Sequence, residues 1–207
     1  LTARAAPDGR VAGGTAAKVE QVATQLRNAS ESLSVVETQY AARVDPTPET
    51  VLERRFADGE IQYLLTDWAS ASVLFYDLVS DHAFDGNPRR PDALWYLSDA
   101  LYQQQSWASS RVYLRELLQT DSPRYREALG RYLDVTSRLN DWGDIEPYLA
   151  RARGADGKLP DDIAYVHAKW LARRSDLSAD ERRKRAAEAF APLTAPGNRF
   201  RLASLYF

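Results

Sequence analysis

The chain has 207 residues, 27 Lys+Arg against 29 Asp+Glu, and neither Cys nor Met. Those counts exclude a disulfide framework, a thiolate nucleophile and any Cys-based zinc or iron–sulfur site. A formal net charge of −2 gives no reason to expect a nucleic-acid partner, and 44% apolar content fits a globular chain able to bury a core.

The first residue is Leu, so a removed leader or a segment of a longer chain is expected. Residues 1–16 hold two Arg and no apolar run of signal-peptide length, and read as a flexible lead-in. A long amphipathic helix is predicted over 17–44. Its apolar residues Val19, Val22, Leu26, Ala29, Leu33, Val36 and Tyr40 step alternately by 3 and 4, forming a heptad seam. Two readings follow: self-association as a coiled coil, or packing on the helices that come next. The flanking positions, such as Ala23, Gln25 and Ser30, carry few of the charges that fix coiled-coil partners, which favours packing. Asp45-Pro46-Thr47-Pro48 then ends the helix, because each Pro disfavours helix in the residue before it. Asn28-Ala29-Ser30 matches a glycosylation sequon, but its place in mid-helix marks it as chance.

Beyond Pro48 the chain repeats. Trp68, Trp107 and Trp142 each follow a short polar turn (Thr66-Asp67, Gln105-Ser106, Asn140-Asp141), at spacings of 39 and 35 residues. An amphipathic segment lies on each side, giving a helix–turn–helix unit of about 34 residues with insertions. Small residues (Gly59, Ala71, Ser98, Ser110) stand where stacked helices cross. Phe75 stands at the large aromatic position and Pro123 where a helix should break. Pro147 implies a kinked or shortened helix in the third unit.

This pattern resembles the tetratricopeptide repeat (TPR) family over roughly residues 50–193. The resemblance implies an all-α, right-handed helical solenoid over 50–207, with units near 52–90, 91–125, 126–160 and 161–197. The start of a further unit is read at 198–207. The end, Leu205-Tyr206-Phe207, lacks the polar cap that closes a repeat array, so more repeats are expected in the parent protein.

No catalytic constellation is found, and no enzyme activity, cofactor or metal is expected. His82 and His167 lack i, i+4 metal-binding spacing. Asp81, Asp85 and Asn87 do not follow the calcium-loop order, and residues 80–88 read as a solvated loop. Arg182 to Arg185, flanked by Glu181 and Glu188, reads as a solvated helix face.

In the resembling family the first helix of each unit lines the concave face. Carried onto this chain, that gives a partner-binding groove of Phe56, Glu60, Tyr63, Trp95, Asp99, Tyr102, Asp134, Arg138, Tyr165 and Arg173. Glu60, Asp99 and Asp134 recur at one repeat position. An acidic ladder beside tyrosines suits a protein or peptide segment bearing Arg or Lys. The expected function is a non-enzymatic interaction scaffold. The alternative is an oligomerising adaptor that self-associates through 17–44. Segments 53–79 and 92–118 resemble deltaproteobacterial envelope TPR proteins, including those of gliding motility. That likeness implies a periplasmic or outer-membrane-associated place, without a membrane span.

Overall fold

Proline and short polar side chains set the helix starts. Thr47 caps α2 (Pro48–Leu64), its hydroxyl accepting from the Thr50 N–H at 3.2 Å, and Pro48 takes a first-turn position where its missing N–H costs nothing. Asp67 caps α3 (Trp68–Val79) through the Ser70 N–H at 3.1 Å. There follow α4 (Arg90–Gln103), α5 (Trp107–Leu118), α6 (Tyr125–Arg138), α7 (Glu146–Ala152), α8 (Asp161–Arg173), α9 (Ala179–Phe190) and the short α10 (Arg201–Ser204). The first helix, α1, spans Arg10–Ala41. The computed structural model describes residues 10–41, 47–143 and 145–206, and within α1 the side chains of 20–35. Among the described residues there is no strand, so the protein is all-α. The expected lead-in is helical from Arg10 onward. Residues 1–9, the Asp45-Pro46 part of the break and Phe207 lie outside the described residues.

Three reversals share one geometry. Thr66, Gln105 and Asn140 have φ of 60°, 60° and 51°, in the left-handed region. The N–H of each bonds back three residues, to the carbonyls of Tyr63, Tyr102 and Ser137. The next N–H, of Asp67, Ser106 and Asp141, bonds back five, to Gln62, Leu101 and Thr136. This is the Schellman arrangement that closes a helix and turns the chain. It recurs at the spacing of the tryptophans, so the sequence periodicity is also a backbone periodicity.

The helices pack in sequence as antiparallel neighbours: α3 lies against α2 and α4, and α5 against α4 and α6. Small residues set the approach distance. A Cβ on Gly59 would meet the Phe75 ring at 3.0 Å. The Ser110 hydroxyl, fully buried, donates to the Ser98 carbonyl at 2.8 Å where α5 crosses α4. One core runs from Leu52 and Phe56 through Leu94, Leu97, Leu114 and Leu129 to Leu149 and Trp170. A second, smaller core joins Ala168 of α8 to Ala186, Phe190 and Leu193.

The third unit departs from the pattern. The next helix, α7, begins at Glu146 with Pro147 in its first turn, and is short, at seven residues, and unkinked. Accordingly α6 packs directly on α8. The insertion after α3 is not merely solvated, because Phe84 in its short 3₁₀ turn is 1% exposed and anchors it to the core. Asp81 and Asp85 of that loop are spent on Arg55 and Arg90, at 2.5 Å and 3.1 Å.

Gly59→Leu should destabilise the fold by roughly 1–3 kcal/mol through overpacking against Phe75, whose ring is held between Phe56 and Tyr96. Chemical denaturation measures this, and an unchanged midpoint would show that the α2–α3 approach is not tight.

Candidate functional site

Helices α2, α4, α6 and α8 are tied together by a polar ladder. In α4 the Asp99 side chain is 4% exposed. Its Oδ2 accepts from the Tyr63 hydroxyl of α2 at 2.7 Å, and its Oδ1 lies 2.5 Å from the Arg131 guanidinium of α6. The pattern then moves one unit along. Tyr102 of α4 donates to Asp134 Oδ2 of α6 at 2.7 Å, and Arg173 of α8 reaches Asp134 Oδ1 at 3.2 Å. Arg138 adds a second donor to Oδ2 at 2.7 Å. One unit back, Tyr96 donates to Glu60 at 2.8 Å. The acid of each of the first three units is thus paired with a side chain of the next, and in the first two a tyrosine donates to the next unit's acid. Tyr96 and Arg131 occupy equivalent positions, so a phenol and a guanidinium perform the same task in successive units.

The electrostatics follow from this wiring. Burial pushes the Asp134 carboxyl up, but Arg138, Tyr102 and Arg173 together outweigh it and hold it below its ordinary value. Burial, and then the bond to Asp99, push the Tyr63 phenol well above its ordinary value. Arg131 stacks over the Tyr102 ring at 3.9 Å, and Arg138 over the Trp107 ring at 4.6 Å.

Over α6 and α8 the ladder opens into a groove of about 640 Å³. Trp95, Tyr102 and Val166 supply its apolar and aromatic surface, with the buried Trp170 forming its floor. Its charged lining is Arg126, Arg131, Arg138, Lys169 and Arg173 against Glu127, Asp134 and Asp162. Among the described residues no group of His, Cys or acidic side chains is arranged to hold a metal ion.

No family model, curated protein or solved structure matches this chain. The site therefore rests on its own geometry.

Trp95, Tyr102, Asp134, Arg138 and Arg173 of the expected groove do line it. Others sit elsewhere. Phe56 is 1% exposed, edge-on to Phe75 and capped by Arg89, so its ring belongs to the core and presents no surface to a partner. Asp99 is buried beneath the groove. Tyr165 faces away, stacked on Phe200 at 4.8 Å and edge-on to Phe190. Glu60 and Tyr63 are held by Tyr96 and Asp99 further along the ladder. The acidic face expected from the sequence is thus occupied by the chain's own donors. Arg126, Arg131, Val166 and Trp170 were not among the expected residues. Arg131 is invisible to repeat alignment because its counterpart in the preceding unit is a tyrosine.

Two outcomes test the ladder. Asp99→Ala should cost about 1–3 kcal/mol, because it removes the acceptor shared by the half-buried Tyr63 and Arg131. A raised folded-state phenol pKa contributes stability that is complete below the unfolded value of about 10 and lost as pH rises through the folded one. Unfolding free energy should therefore fall above about pH 10, and less steeply in Tyr63→Phe. Denaturation across an alkaline pH series reads both. Identical slopes for the two proteins would remove Tyr63 from the account.

Proposed function

We propose that this chain is a non-catalytic interaction scaffold of tetratricopeptide type, a right-handed solenoid of helical hairpins that holds a segment of another protein in the groove over α4, α6 and α8. The observation that carries the reading is the groove itself. It is an open, side-chain-rich concavity, built from successive inner helices and fixed in shape by the ladder beneath it. Side chains pre-positioned in this way lose little freedom on binding, which favours an extended partner. Supporting the family reading are the three equivalent left-handed turns, the small residues at helix crossings and the unit-to-unit bonding.

The scaffold belongs, in this reading, to a larger assembly of the bacterial cell envelope, periplasmic or outer-membrane-associated. The gliding-motility machinery is the assembly that the resemblance implies. The resemblance of segments 53–79 and 92–118 is what supports that placement. No helix among the described residues is long and apolar enough to cross a membrane.

A second reading has one observation of its own. Along α1 the seam residues Val22, Leu26 and Leu33 are 53%, 40% and 55% exposed. Only a small cleft, about 80 Å³, forms where Leu26, Ala29 and Leu33 approach Ile61 and Leu64 of α2. An open apolar seam of this kind supports self-association through α1 as an oligomerising adaptor.

A photocrosslinking residue at Arg126, on the groove lining and 55% exposed, should capture a discrete protein from envelope fractions, while one at His82, whose side chain is 99% exposed, should not. Equal labelling at both positions, or none, would remove the groove as the interaction surface. Sedimentation equilibrium separates the second reading: a concentration-dependent dimer that disappears in Leu26→Glu supports it, and a monomer at all concentrations sinks it.

A further inference from the structure

Building on the groove reading above, we propose that the groove selects an acidic segment, one that presents several Asp or Glu side chains to α6 and α8. The argument starts from what the groove's carboxylates have left to offer. Asp99 is buried and bound by Tyr63 and Arg131. Asp134 has Tyr102 and Arg138 on one oxygen and Arg173 on the other. Asp162 takes Arg126 at 2.6 Å, and Glu127 takes Arg124 at 3.4 Å. A basic ligand would have to displace a guanidinium from each of them.

The cations are in the opposite position. Arg138 and Arg173 share the single carboxylate of Asp134. Lys169 lies one turn before Arg173 on the same face of α8. It rests against the Tyr165 ring at 5.5 Å and has no carboxylate partner among the described residues. Arg138 and Arg173 thus share one negative charge, and Lys169 adds a positive group without a carboxylate to the same lining. An incoming carboxylate would balance the surplus without breaking an existing pair.

The spread of these groups identifies the kind of ligand. The surplus cations sit on two helices, Arg138 on α6 and Lys169 and Arg173 on α8, the latter two about 6 Å apart at the helical rise of ~1.5 Å per residue. One carboxylate, such as a chain terminus, would meet only one of these helices. A segment with acidic side chains at intervals would meet both. Trp95 and Val166, both half-buried, lie along the same path and would take its apolar side chains.

The test uses three peptides, acetylated and amidated so that no terminal charge contributes. They share aromatic and aliphatic residues and differ in carrying Glu, Gln or Lys at the spaced positions. Binding to the full chain is followed by fluorescence anisotropy. The Glu peptide should bind at least about tenfold more tightly than the Gln peptide, a difference of about 1.4 kcal/mol, and the Lys peptide more weakly still. Its affinity should fall with added salt. Lys169→Glu should weaken the Glu peptide about tenfold, with Lys169→Gln intermediate and thermal melting unchanged in both.

Equal binding of the Glu and Gln peptides would overturn acidic selectivity and leave the groove reading standing. So would preference for the Lys peptide. Binding of none would overturn both. A Glu-peptide affinity untouched by Lys169→Glu would overturn the assignment to these cations. Tight binding only to a variant with a free terminal carboxylate would replace the extended segment with a chain end.

Discussion

A single buried carboxylate holds three helices in register. Asp99 belongs to α4, accepts from Tyr63 of α2 and pairs with Arg131 of α6. Removing a charge from water is expensive, and that expense is offset only when every partner stands at the right distance. A shift of α6 along α4 by one turn would strand both Asp99 and Arg131. Apolar contacts tolerate sliding of one helix past another far better. The leucine core supplies most of the cohesion, while the ladder specifies which packing of those helices is allowed.

The surface electrostatics are a by-product of this arrangement. The chain carries slightly more acid than base, yet its groove carries a local excess of cations. The difference arises because the recurring acids are used inside the array, one per unit, leaving guanidinium and ammonium groups at the rim. A motif that looks like a binding face when read along the chain proves, in three dimensions, to be a fastening between units. Repetition of a charged residue is equally compatible with either use, and only the partner's position decides between them.

That ambiguity marks the limit of what was legible. The hairpins could be read because Trp68 and Trp107, each behind a polar turn, announce a helix start, and because Pro48 and Pro147 sit in first turns. The shortened third-unit helix could be read from Pro147 for the same reason. Phe84 could not, since one aromatic in a polar insertion gives no period from which to infer burial. Tyr165 could not either: α8 lies between two cores, and its rotation is set by Phe190 and Phe200, which come later in the chain. Arg131 was hidden because the position it fills is defined by function in the ladder and not by residue type.

The brevity of α7 has a mechanical meaning. Elsewhere each hairpin is clasped by the second helix of the hairpin before it. At the third unit that clasp is reduced to seven residues, and α8 meets α6 directly while turning its other side to a separate small core. The main core still runs on through Ile163 and Trp170, but between α6 and α8 no full-length helix intervenes. The Arg173–Asp134 pair bridges this step. A ligand lying across α6 and α8 would act as a splint.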